Sequence, residues 1–122
     1  MTARTVEGAA GGDLDGVSAL LTAAAEVVER VGLWRRYLWP GAADDADYCE
    51  GDPVCLVGAL VVAAEASRWG SPRVRVAVKA VARLLGVSTI GVSVWSDAEG
   101  RTAAEVAAVL RATVERERGG AR

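Results

Sequence analysis

The sequence predicts an all-α fold, a compact bundle of about four main helices with two long connecting loops. Three observations lead there. Apolar residues recur at i, i+3, i+4 and i+7 in four separate stretches. Capping residues and proline open these stretches, and glycine closes them. The length of 122 residues, 52% of them hydrophobic and 25% charged, supports one core and suits a single folded domain.

Residues 1–12 lack periodicity and end in Gly8-Ala-Ala-Gly-Gly12. A disordered N-terminal tail is expected there, then one helical domain over 13–118 and a C-terminal tail at 119–122. Asp13 or Asp15 is the expected cap of the first helix. Val17, Leu20, Leu21, Ala24, Val27, Val28 and Val31 form its apolar face, and Gly32 closes it. A long connection follows from Leu33 to Asp52. It carries Trp34, Tyr37, Trp39 and Pro40, then the acidic run Asp44, Asp45, Asp47, Glu50 and Asp52. Loops of this length are uncommon in compact domains and are often functional.

Asp52-Pro53 reads as the start of a buried central helix reaching about Arg68, with a carboxylate cap and proline in the first turn. Ser71-Pro72 repeats the signal for a third helix, with Val74, Ala77, Val78, Val81, Leu84 and Leu85 inward and Gly86 at its end. Val87 to Glu99 reads as irregular, extended through Ile90–Trp95. Thr102-Ala-Ala-Glu105 is a capping box. It opens a last helix with Val106, Val109, Leu110 and Val114 inward and Glu105, Arg111, Glu115 and Arg118 outward.

Composition narrows the chemistry. The chain has no His, which excludes a His-containing triad, a His-ligated metal and a His pH switch. It also lacks Asn, Gln and Phe, while Ala and Val supply 43 residues. No secretory signal opens it, and no uncharged run approaches the roughly 20 residues that span a bilayer. A cytoplasmic location and no membrane partner are therefore expected. Residues 1–52 carry a net charge of −6 and residues 53–122 carry +4. That asymmetry suits either a charged partner or complementarity between the two halves.

The four tryptophans, Trp34, Trp39, Trp69 and Trp95, all fall at helix ends or in loops. They plug the ends of a core short of bulk, or they anchor a ligand or partner. The acidic run does not have EF-hand spacing, so no metal is expected. Cys49 and Cys55 lie six apart, unlike a zinc or redox motif. Cys55 sits near a helix start, where a thiolate is favoured, with Tyr48, Asp52 and Asp97 as its possible helpers. Arg75, Lys79 and Arg83 form a basic stripe on the third helix. The acidic isoelectric point of about 5.2 and the lack of a short turn before the last helix argue against DNA binding, so this stripe reads as a solvated face and nucleic acid as no partner.

The segments Cys55-Leu-Val-Gly-Ala-Leu60 and Trp95-Ser-Asp-Ala-Glu-Gly-Arg-Thr-Ala-Ala-Glu-Val106 together resemble an uncharacterised bacterial family of small helical proteins, a domain of unknown function. Its members pair a C-x-x-G-A-L helix with a W-N-D-x-x-x-R-T-x-x-E-V ending. The resemblance covers roughly residues 17–115. Ser96 stands where that family usually has Asn. It implies a helical domain and no assigned activity. Physically, Asp97 and Arg101 are spaced to pair across the turn while Trp95 packs beneath them, or the three grip a polar ligand.

Two functions follow. The first is a binding module without a cofactor, an accessory subunit that docks on a larger enzyme, such as one of specialised metabolism, and stabilises or completes its site. A homo-oligomer is the other partner expected. Mean hydropathy is +0.23, and an exposed apolar patch near Trp34, Tyr37 and Trp39 is expected. Trp95, Asp97 and Arg101 complete the set of binding candidates. The second is a small cofactor-free enzyme in which Asp97, Asp52, Tyr48 and Cys55 act. It requires some of them to converge in one pocket with a raised carboxylate pKa.

Overall fold

Five α-helices and one short 3-10 turn make up the computed structural model, which describes residues 10–65 and 71–120. Among these residues no strand forms, and the fold is all-helical. Trp69 and most of the expected N-terminal tail lie outside the described residues.

Helix α1 (Ala10–Val31) begins ahead of the expected Asp13 or Asp15 cap. It buries Val17, Leu20, Leu21, Ala24, Val27 and Val28, as its periodicity requires. Gly32 ends it with φ +94, and its N–H returns to the Val28 carbonyl at 2.9 Å. Only glycine adopts that left-handed geometry without strain.

The central helix differs most from its sequence reading. Helix α2 spans Leu56–Ala63 rather than Pro53–Arg68. Its expected first turn is spent elsewhere. Val54 donates to the Gly32 carbonyl at 3.1 Å and accepts from the Trp34 N–H at 2.8 Å, giving a parallel bridge between Leu33 and Val54. A backbone paired in this way cannot also be helical. Cys55 becomes the N-cap instead of Asp52, its sulfur accepting from the Gly58 N–H at 3.3 Å. Glu65, with φ +53, follows the last turn.

Helix α3 (Pro72–Leu85) has the Ser71 cap, leading proline and closing Gly86 that the sequence announces. Val87–Glu99 is not extended. Helix α4 (Thr89–Ser96) starts there with the Ser88 hydroxyl accepting from the Gly91 N–H at 3.0 Å. Alternating Ile90, Val92 and Val94 imitate a strand. The cap and the burial of Val92 and Ser96 select the helix. Helix α5 (Ala103–Gly120) carries the capping box intact. Thr102 Oγ accepts from the Glu105 N–H at 3.1 Å, while Glu105 Oε1 accepts from the Thr102 N–H at 2.9 Å.

Helix α1 packs against α2, α3 and α5, and α4 lies on α3 and α2. The core is almost wholly Leu, Val and Ala. Surface ion pairs tie helices across it. Arg111 grips Glu29 of α1 with both arms, the Nη2–Oε1 distance being 2.9 Å, and Arg83 meets Glu117 at 3.1 Å. Such exposed pairs fix orientation more than they stabilise.

The segment from Leu38 docks on α2 through its backbone as well as through buried side chains. Leu38 is buried with φ +50, a conformation costing a non-glycine residue about 1–2 kcal/mol. Its carbonyl accepts from the Cys55 N–H at 2.9 Å. A Cβ at Gly58 would lie 2.3 Å from that same oxygen.

Gly58→Ala is therefore expected to destabilise the fold by about 2 kcal/mol or more. Gly119→Ala, with open space at its Cβ, is expected to be neutral or slightly stabilising. Denaturant midpoints of the two variants check this, and equal midpoints would contradict the close approach.

Candidate functional site

The acidic loop is built around its own aromatics. Trp39 is only 4% exposed, and its indole N–H donates to the Ala46 carbonyl at 3.0 Å. Tyr48 meets the Trp39 ring edge-on, at 5.5 Å between centroids. The Tyr48 hydroxyl donates to the Asp52 carbonyl at 2.8 Å, and burial pushes its pKa up. Trp39 and Tyr48 thus give a loop poor in other apolar side chains a small core of its own. Cys49 is exposed and Cys55 is buried, and both are free thiols. Among the described residues, no three metal-ligating side chains converge.

The turn after α4 also departs from expectation. Arg101 does not pair with Asp97. Its guanidinium stacks on the Trp95 ring at 3.9 Å. Its Nε donates to the Trp95 carbonyl at 2.9 Å, and its Nη1 lies 3.6 Å from Glu105. A planar cation over an indole face is attracted by the ring quadrupole, so Trp95 and Arg101 hold each other and lock the entry to α5.

Asp97 is left facing two adjoining clefts. A wider one of about 490 Å³ is lined by Leu33, Trp34, Arg35, Arg36, Asp97 and Glu99. A smaller one of about 150 Å³ is lined by Arg36, Tyr37, Leu38, Cys55, Val57, Ser93 and Asp97. Three elements meet here, namely the 33–38 segment, the start of α2 and the end of α4. Ser96 fastens the last two. It is fully buried, and its Oγ accepts from the Leu56 N–H at 3.1 Å. That amide is one of the four donors a helix start leaves without an internal partner.

Of the sequence candidates, Trp34, Tyr37, Cys55 and Asp97 come together at these clefts. Tyr48, Asp52 and Trp39 do not line them, and neither do Trp95 and Arg101. Burial raises the Asp97 carboxyl above the ordinary aspartate value of 3.8. Burial also raises the Cys55 thiol, and the nearby Asp97 charge adds to this. Cys55 is therefore held as a thiol that caps α2, the reverse of the activated thiolate that helix-start position suggested. Sequence reasoning missed Arg36 and Ser93. The Arg35-Arg36 doublet inside an aromatic stretch was the available signal.

Near the expected apolar patch Tyr37 is exposed, Trp34 half-buried and Trp39 buried. A more exposed aliphatic face lies on α4, where Ile90 is 78% exposed and Val94 67%. These two are one helical turn apart and share a face. Ile90 borders a groove of about 340 Å³ with Val57, Val74 and Val78, rimmed by Arg75 and Lys79 of α3. Groove and small cleft share Val57 and Ser93.

The model of a family of unknown function (DUF6197) matches residues 13–116. No curated protein and no solved structure matches the chain.

Two outcomes follow from the site geometry. Ser96→Ala is expected to lose about 1–3 kcal/mol, since the buried Leu56 N–H is then left without an acceptor, and equilibrium unfolding measures it. Asp97 holds its proton more tightly folded than unfolded. Its contribution to stability is fully present below the ordinary value and is lost as pH rises through the raised one. Asp97→Asn should therefore melt higher than the parent at about pH 7 and match it near pH 3, where both side chains are neutral. Thermal melts at the two pH values decide.

Proposed function

The chain belongs to this family of unknown function, and from that premise we propose that it is a small helical binding module, an accessory subunit that docks on a larger enzyme and stabilises or completes its site. The observation that carries the proposal is the exposed Ile90–Val94 face of α4 beside the α3–α4 groove. Large aliphatic side chains left in water next to a groove mark an interaction surface more often than chance placement does.

The rim specifies the occupant. Arg75 and Lys79 border the apolar floor on the α3 side. The groove suits an amphipathic helix of the partner whose apolar ridge is flanked by Asp or Glu. A second copy seated symmetrically on the same face would bring Arg75 and Lys79 of one chain toward those of the other. That like-charge juxtaposition favours a different, acidic partner.

Catalytic groups are scarce in the same molecule. Asp97 and Cys55 do share the small cleft, and the Asp97 carboxyl is raised, which is the convergence a cofactor-free enzyme requires. Tyr48 lies outside that cleft, engaged with the Asp52 carbonyl, and the Cys55 thiol is raised by burial and spent on a helix cap. These two features support a binding role over the enzyme.

The test is tagged purification from the native cell, comparing the parent with Val94→Glu and Lys79→Glu. Both positions are exposed, so melting should change little. One larger enzyme should co-purify at equal stoichiometry with the parent and be lost with Val94→Glu. Lys79→Glu should weaken the complex and reduce its salt sensitivity. A complex unaffected by Val94→Glu, or a parent that associates only with itself, would overturn the reading.

A further inference from the structure

We propose that the small cleft between Arg36 and Asp97 binds a zwitterion no larger than a free aliphatic amino acid, with its ammonium on Asp97, its carboxylate on Arg36 and its side chain on the apolar floor. The cleft adjoins the α3–α4 groove, sharing Val57 and Ser93 with it, but Arg36 and Asp97 lie outside the groove, and the inference does not rest on the docking role.

The first observation is charge without partners. Elsewhere on the surface Glu29 pairs with Arg111, Arg83 with Glu117 and Arg101 with Glu105. Arg36 and Asp97 line the same cleft, yet neither joins the other or any of these pairs. The guanidinium and the carboxylate are thus two opposite poles on one small cavity, held too far apart to neutralise each other. A ligand carrying both charges bridges such a gap. A simple cation would leave Arg36 unused, and a simple anion would meet Asp97 as a repulsive group.

The floor supplies the second observation. Beneath the charged rim lie Leu38, Cys55 and Val57, all buried. The volume of about 150 Å³ is that of a void known to admit a benzene-sized apolar body, so a leucine-like side chain fits and a drug-sized molecule does not. The buried Cys55 sulfur is a soft, polarisable surface for an aliphatic group.

Third, Asp97 stands at the exposed rim of the cleft, where partial burial raises its carboxyl and no cation lowers it. An incoming ammonium would supply the missing counter-charge and reverse that shift.

The experiment is a titration of the isotopically labelled full chain with L-leucine, followed by NMR. Two half-molecules serve as arms: isoamylamine, which lacks the carboxylate, and isocaproate, which lacks the ammonium. Saturable shifts are expected at the amides of Tyr37 and Leu38, which line the cleft and not the groove, together with Val57 and Ser93. The Asp97 carboxyl should titrate at lower pH with leucine or isoamylamine bound, and not with isocaproate. Asp97→Asn and Arg36→Gln should each weaken leucine binding about tenfold or more while the variants still melt cooperatively. That loss tracks one charged hydrogen bond. No saturable shift at tens of millimolar leucine would overturn the proposal. So would unchanged affinity in either folded variant, or an Asp97 titration that leucine leaves in place.

Discussion

The contact between the Leu38 backbone and the start of α2 sets the rest of the structure. Leu38 bends into a left-handed conformation so that its carbonyl reaches the Cys55 N–H. The absence of a side chain at Gly58 lets that carbonyl lie flat against the helix. With the Leu33–Val54 bridge it closes the neck of the long connection. That neck converts a 20-residue excursion into a loop with its own small core around Trp39 and Tyr48. The same contact holds Arg36 and Tyr37 opposite the end of α4. Loop entropy that would otherwise blur this region is removed by main-chain hydrogen bonds together with the buried Leu38 and Trp39 side chains.

Local signals in the sequence predicted local structure well. The Ser71-Pro72 start, the Gly86 stop and the Thr102–Glu105 capping box each depend on residues within four positions of one another. Tertiary pairing decided the elements that were misread. Asp52-Pro53 is as good a helix start as Ser71-Pro72 by composition, but Val54 is claimed by a strand-like bridge to a residue 21 positions earlier. Helix α4 carries β-branched residues in alternation, and a single Ser88 hydroxyl outweighs that preference once Val92 and Ser96 are buried.

The site was legible in its residue types more than in its grouping. Asp97, Cys55, Trp34 and Tyr37 stood out as unusual in an Ala/Val chain, and they do meet. Which charges would be neutralised was not legible. Asp97 and Arg101 are well spaced to pair, yet Arg101 gains more from the Trp95 face and the Glu105 carboxylate. Of the aromatics that looked like partner anchors, Trp39 turned inward, because a chain without Phe has few large side chains with which to fill loop interiors, while Tyr37 stayed exposed. The most exposed aliphatic surface belongs to Ile90 and Val94, which periodicity alone could not tell from a buried strand.

The two thiols stand in opposite surroundings. Cys55 is enclosed and engaged with Gly58, whereas Cys49 projects from the acidic loop. A maleimide reagent meeting the folded chain thus finds one open sulfur. The unaltered sequence carries a single natural attachment point for a dye or spin label, placed on neither the groove nor the cleft. Distances from that point can report on whatever occupies either one, with no engineered cysteine and no disturbance of the helix that both share.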